Sequence, residues 1–221
     1  MNTRVRQWLL IALSMWASIF SMAPAGAAST NGEVRVWSFR ALLDGSDIGY
    51  HRFTLTQHGE ERTLNSEARF KVKLWFINAY HYVHNATEHW RGECLNTMTS
   101  DTDDNGKKYI VNTTRNGDVL DVAIGATRYS AGGCMMTFAY WNPLMLKQSK
   151  LLNAQTGENM PVVIKELPHQ SIDVKGQTFD AARYQLIGKE LDITLWYSAA
   201  GDWLALESKT PTGHKLSYRL E

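Results

Sequence analysis

The chain has 221 residues, two cysteines and a formal charge of +1, with 44% apolar and 20% charged residues. A near-neutral chain without basic runs lacks the electrostatic footprint of a nucleic-acid binder and has no polybasic patch for anionic lipid. The length suits one domain with a substantial core.

The first 27 residues read as an export signal. Arg4 and Arg6 form a positive n-region, Trp8 to Met22 a mostly apolar h-region, and Ala25-Gly26-Ala27 a small-residue cleavage site. The apolar run is short for a span of about 20 residues and Pro24 follows it. We therefore expect a cleaved signal peptide over 1–27, no transmembrane segment in the mature chain, and a single β domain over 28–221. Removing 27 of the 221 residues leaves 194, and losing Arg4 and Arg6 takes the charge from +1 to −1. No cysteine follows the h-region, so lipid attachment is not indicated. An exported chain meets an oxidising compartment, where Cys94 and Cys134 are expected to form a structural disulfide. There is no C-x-x-C for thiol exchange and no paired His spacing for zinc.

Turn signals recur along the chain with alternating apolar and polar residues between them, the rhythm of an all-β protein. Trp37, Phe39, Ala41 and Leu43 share one face of a first strand, Asp44-Gly45 turns it, and Phe53 and Leu55 lie on the next. Leu64, Ser66, Ala68, Phe70, Val72 and Leu74 then point one way while Asn65, Glu67, Arg69, Lys71 and Lys73 point the other. Such alternation predicts one buried and one wet face. With a break at Ile77-Asn78-Ala79, the stretch from Leu64 to Trp90 reads as a long hairpin. Pairing about that break sets Phe76 opposite Tyr80, Val72 opposite His84, Ala68 opposite Glu88 and Ser66 opposite Trp90.

Asn105-Gly106 and Asn116-Gly117 suit two-residue type I′ turns. The first sets Thr102 opposite Tyr109 and Ser100 opposite Val111. The second sets Val111 opposite Val122 and Tyr109 opposite Ile124. From Ser130 the rhythm breaks. Ala131-Gly132-Gly133 reads as flexible, Phe138, Tyr140 and Trp141 are bulky, and Asn142-Pro143 caps and starts a short helix through Lys147. Strands resume at Val162 to Glu166, Gln177 to Leu186, Leu191 to Tyr197, Trp203 to Lys209 and Leu216 to Leu220. The expected fold is a single curved antiparallel sheet forming an incomplete or flattened barrel. The helical or loop insert of about 131–150 would pack on its concave side. A flat sandwich is the competing architecture.

Period two puts Tyr80, Tyr82, His84, Ala86, Glu88 and Trp90 on one apolar face, where His84 and Glu88 do not belong. A buried carboxylate must be hydrogen-bonded, paired, hydrated or protonated. Two readings stand. One is the polar floor of an aromatic-lined ligand cleft. The plainer one is a His–Glu pair that satisfies itself and ties the sheet to the insert, through Trp141 or a backbone group. His81 and His89 fall on the opposite face, which argues against a three-His metal site.

Asp101-Thr102-Asp103-Asp104-Asn105-Gly106 matches the opening of a calcium loop. The twelfth position is Asn112, where that loop needs a bidentate Glu, and the hairpin turn explains the same residues. No cofactor or metal is expected. There is no G-x-S-x-G, phosphate-cradling glycine loop or H-E-x-x-H, which lowers the expectation of an enzyme.

Several stretches carry a resemblance: LDGSDIGYHRF at 43–53, SEARFKVKLWFINAYHYVHNATEHW at 66–90, LNTMTSDTDDNGKKYIV at 95–111, YWNP at 140–143, LLNAQTG at 151–157 and LDITLWYSAAGDWLALES at 191–208. Together they resemble an exported proteobacterial family, domain of unknown function 6134. More distantly they are similar to wrapped-sheet envelope proteins and to the periplasmic lipoprotein carriers. The resemblance implies a periplasmic protein with a concave sheet, secretion beyond the outer membrane remaining open, and it implies no reaction. The lead expectation is a non-catalytic protein holding an apolar or lipid-like small molecule. Phe70, Tyr80, Tyr82, Trp90 and Trp141 would form the wall, with His84 and Glu88 as polar contacts. The alternatives are an envelope interaction module with a solid core and a protein partner, or a hydrolase or isomerase using His84 and Glu88.

Overall fold

A computed structural model of the chain describes residues 32–74, 77–210 and 212–221, with the backbone alone at 73, 74, 77 and 78. The expected signal peptide, 1–27, lies outside the described residues. Eight antiparallel strands follow one another first: β1 (Glu33–Leu43), β2 (Ser46–His58), β3 (Glu61–Leu74), β4 (Ile77–Arg91), β5 (Cys94–Asp104), β6 (Lys107–Asn116), β7 (Val119–Ile124) and β8 (Thr127–Gly132). A crossing segment holds a 3₁₀ turn (Pro143–Lys147) and a small ribbon of β9 (Lys150–Leu152) and β10 (Asn159–Pro161). Five more strands complete the chain: β11 (Val163–Val174), β12 (Gln177–Gly188), β13 (Leu191–Tyr197), β14 (Trp203–Lys209) and β15 (Lys215–Leu220).

All except β9 and β10 form one 13-stranded sheet in the order β11-β12-β13-β14-β15-β1-β2-β3-β4-β5-β6-β7-β8. The first and last strands among the described residues pair in the middle, Phe39 opposite Leu220, and β11 and β8 are the two edges. The sheet is therefore a flattened barrel that does not close, as the alternation predicts. Among the described residues no helix is long and apolar enough to cross a membrane.

Turn chemistry fixes much of the register. Asp44 and Gly45 have φ of 49° and 84°, and Asn105 and Gly106 have 52° and 92°, the positive pair a type I′ turn needs. Thr102 faces Tyr109 and Ser100 faces Val111, as expected. The next turn corrects the reading. Asn116 stays in the ladder opposite Val119, and Gly117 alone takes positive φ, 60°. A turn with glycine at its first central position needs positive φ only there. Val111 therefore faces Ile124, and Val122 faces Thr113.

The long hairpin is corrected in the same way. Val72 faces Tyr80, Ala68 faces His84, Leu64 faces Glu88 and Arg62 faces Trp90. The ladder closes at Leu74 opposite Ile77, and Ala79 is an extra residue on β4 that bulges between Asn78 and Tyr80. The break read at 77–79 is thus inside the strand, and the expected partner Phe76 lies outside the described residues. An even shift leaves every side chain on its expected face. It changes the neighbours, so the small residue Ala68 lies beside His84 and the bulky Leu64 beside Glu88.

The crossing segment fills the inside of the curve. Met135, Met136, Ala139, Trp141, Met145, Leu151, Leu152 and Val162 are buried with Phe39, Phe53, Trp90 and Trp203 of the sheet. It begins later than the insert read from the sequence, because β8 runs on to Gly132, and it ends later, because the crossing continues through the β9–β10 ribbon. The short helix is a 3₁₀ turn. Asn142 caps it by accepting from the Leu144 N–H at 3.1 Å, and its amide donates to Glu93 at 2.7 Å. Cys94 and Cys134 are bonded, with Cα atoms 5.0 Å apart, and the neighbouring Leu95 N–H donates to the Met135 carbonyl at 2.9 Å. Strand β11 also outruns expectation. It continues past Pro168 through a bulge between Leu167 and Gln170, which an edge strand tolerates.

Candidate functional site

The inward faces of β2, β3 and β4 converge under the crossing segment. His84 and Glu88 are each 3% exposed. They do not bond each other. His84 Nδ1 is 2.9 Å from the hydroxyl of Thr102 on β5. Glu88 Oε2 accepts from the Trp90 indole at 2.9 Å and from the Thr137 hydroxyl at 3.2 Å. The tie between sheet and insert thus runs through Glu88 and Thr137, not through Trp141. Among the described residues His84 Nε2 and Glu88 Oε1 have no hydrogen-bond partner.

A third buried group, His51 on β2, completes the set. Its Nε2 is 2.8 Å from Ser66 Oγ and its Nδ1 is 3.0 Å from the Tyr218 hydroxyl. The His51 and His84 rings lie 6.3 Å apart, edge to face. The sequence reading missed His51, although it stands two positions before Phe53 and so shares that residue's inward face.

His51, Ser66, His84, Glu88, Thr137 and Trp141 border a cavity of about 200 Å³. That is room for roughly six waters at about 30 Å³ each. A second space opens beside it, a cleft of about 520 Å³ bordered by Leu43, Ile48, Phe70, Val72, Tyr80 and Tyr82. Gln155, exposed on the loop between β9 and β10, borders both spaces. The seven residues read from the sequence therefore divide. Phe70, Tyr80 and Tyr82 line the cleft, and Phe70 and Tyr82 stack at 5.2 Å. His84, Glu88 and Trp141 line the cavity. Trp90 borders neither, being 1% exposed and packed edge-on against Trp141 at 5.5 Å.

Burial dominates the electrostatics. It pushes the Glu88 carboxyl up to about 7, against the smaller opposing effect of the Trp90 and Thr137 hydrogen bonds. It pushes His84 down to about 4, with a further contribution from Arg69. Arg69 itself sits on the other face of the sheet, bonded to the side chain of Asn85 at 2.9 Å. His51 is held well below the usual imidazole range by burial and by its neighbour His84. Both histidines are therefore neutral at pH 7.

Two sequence features find other uses. Asp103 accepts from the Gly106 N–H at 2.7 Å and lies 3.2 Å from His81, so it serves its own hairpin turn. A larger depression of about 640 Å³ on the outer face is bordered by Trp196, Asp173, Lys175, Arg183, Glu207 and Arg219. Its mixed charges offer a ligand no single chemistry.

An open, flattened barrel with a crossing segment through its interior and a small cavity beneath it, bordered by a few buried polar groups, defines the class of protein. The chain belongs to the family described as domain of unknown function DUF6134, which matches residues 39–221. Among solved structures it is similar to a β-barrel-like protein of domain of unknown function DUF1849 from Brucella abortus. The TM-score is 0.63 at 9% identity, over 87% of this chain and 96% of that one. At that identity the likeness concerns the fold. No curated protein matches the chain.

Proposed function

We propose that the protein is a non-catalytic periplasmic binder of a small amphipathic molecule. The apolar part would lie in the cleft of Leu43, Ile48, Phe70, Val72 and Tyr80, and the polar part would reach the cavity of His51, His84 and Glu88. One observation carries this reading. Among the described residues two deeply buried side chains each keep a polar atom without a partner, His84 Nε2 and Glu88 Oε1, and both line a cavity next to a cleft that has an apolar wall and Asp104 and His214 at its border. Neither atom is among the sealed, unpartnered polar atoms of the fold, so each is open to the polar end of a ligand or to ordered water. The cleft's volume falls in the usual range for small-molecule sites, roughly 300–1,000 Å³. The hydrolase or isomerase reading would use His84 and Glu88 as a pair, and these two do not bond each other.

The crossing segment supports a second reading, an envelope module whose partner docks outside. Its buried methionines and tryptophan leave little of the interior open. Uptake of an environment-sensitive apolar dye separates the two. Binding that is lost when Ile48→Trp fills the cleft supports the small-molecule reading. Failure of the natively folded protein to take up dye, or equal uptake by the variant, overturns it.

A further inference from the structure

The chemistry of the cavity says which head group it selects. We infer that the site takes an amphiphile whose polar end is an uncharged or cationic hydrogen-bond donor, an alcohol or amine, and discriminates against carboxylate and phosphate heads. This deepens the proposed function and rests on it.

An anion taken out of water needs a cation or several aimed N–H donors to replace its hydration. Among the described residues the cavity's border has neither Lys nor Arg. Its two imidazoles are buried and neutral. His51 is already engaged on both ring nitrogens, by Tyr218 and Ser66. Asn153 Oδ1 accepts from the Gln155 N–H at 2.8 Å, which holds that side chain to its own loop, and its amide N–H has only the Met160 sulfur at 3.7 Å. Trp141 Nε1 is an unpartnered donor with no accessible surface, so a molecule in the cavity does not reach it. The hydroxyls of Ser66 and Tyr140 take either role.

The side-chain amides of Asn153 and Gln155 on the border are neutral, and among the described residues the one charged side chain that borders the cavity is Glu88. Glu88 keeps Oε1 without a partner among the described residues, and once ionised, above about pH 7, it accepts only. A second anion placed beside it forces one of the two to take up a proton, as when two carboxylates share one site. An ammonium or hydroxyl placed there donates to Oε1 instead, and the cationic head adds charge assistance. His84 Nε2 is the second contact, as acceptor or donor according to its tautomer. Amine, then alcohol, then carboxylate and phosphate is the resulting order.

Four dodecyl compounds matched in chain length test this, below their micelle concentrations and at about pH 8.5, where Glu88 is ionised and the amine still protonated: the amine, alcohol, carboxylate and phosphate. Binding is read by quenching of intrinsic tryptophan fluorescence and by native mass spectrometry. The expected result is about a tenfold tighter Kd for the amine than for the carboxylate, about 1.4 kcal/mol. Glu88→Gln, which keeps an acceptor but removes the charge, is expected to shrink that ratio to about threefold or less. A carboxylate or phosphate bound as tightly as the amine overturns the inference and leaves the proposed function standing. So does a tenfold ratio that persists in Glu88→Gln. If no dodecyl compound binds, the proposed function falls and the inference with it. The ranking on the unmodified protein decides the matter even where the variant does not fold.

Discussion

The indole N–H of Trp90 donates to Oε2 of Glu88 at 2.9 Å, from two residues along the same face of one strand. A carboxylate thus sits in the core with one oxygen held by the sheet and the crossing segment and the other left to the cavity. Its charge is the most pH-sensitive feature of the interior.

Because the folded state raises Glu88 from 4.5 to about 7, the folded chain holds more proton than the unfolded one between those pH values. This contribution to stability is complete below pH 4.5 and is lost as pH rises through 7. The displacement corresponds to about 3 kcal/mol. Glu88→Gln removes the titration and keeps an acceptor for Trp90. Urea unfolding should show the variant gaining on the parent between pH 5 and pH 8, by up to about 3 kcal/mol. A difference that does not change with pH would refute the assignment.

The histidines act in the opposite sense. His84 falls to about 4 in the fold and His51 falls well below its ordinary 6.5. Their contribution is complete above pH 6.5 and is lost as pH falls through the folded values. His51→Phe leaves the Ser66 and Tyr218 hydroxyls without this partner, at a cost of about 1–3 kcal/mol at pH 7. The variant should also be less acid-sensitive, so its deficit should narrow between pH 6.5 and pH 4 in the same assay. A deficit that widens would contradict the burial argument.

The disulfide joins the start of β5 to the crossing segment across a sequence separation of 40. Loop-closure entropy for a loop of that length amounts to about 4 kcal/mol. Replacing both cysteines by serine should lower unfolding stability by about that amount. Because Leu95 and Met135 bond beside the bridge, amide exchange should rise first in residues 133–142. Uniform loss of protection across the sheet would count against this.

Gly49 has φ of +135°, and a Cβ there would lie 2.0 Å from the carbonyl oxygen of Arg69. Strands β2 and β3 approach closely at this point because no side chain intervenes. Gly49→Ala should destabilise by about 3 kcal/mol or more. Gly45→Ala, at φ +84° with nothing within 4 Å, should cost only about 1–2 kcal/mol. Similar thermal shifts for the two would place the strain elsewhere.

Alternation made the faces legible. Leu64, Ser66, Ala68 and Phe70 are all buried, as their spacing requires. Partners across the strands were less legible, because face assignment survives any even slip whereas a partner does not. Ala79 looped out of β4, and Gly117 took the turn that Asn116 was expected to open. Each is a choice of one residue, made by backbone geometry that composition does not encode. The candidate site shows the same limit. His84 and Glu88 stand out as polar residues in an apolar stripe. His51 does not, since it follows Tyr50 and precedes Arg52 on a stretch where polar residues are unremarked. The separation of cleft from cavity depends on where the crossing segment lies, and a loop's path leaves no periodic trace.

The pairing of β1 with β15 has a consequence for timing. As the chain emerges from its N-terminus, β2 through β8 and β11 through β14 each find partners that are neighbours in sequence. Phe39 and Ala41 must wait for Leu220 and Tyr218. Contacts between such distant residues carry the largest closure cost and form slowly. The first strand made is thus the last to be completed. A chain stopping short of Lys215 leaves β1 and β14 as two raw edges where the finished sheet has an unbroken middle.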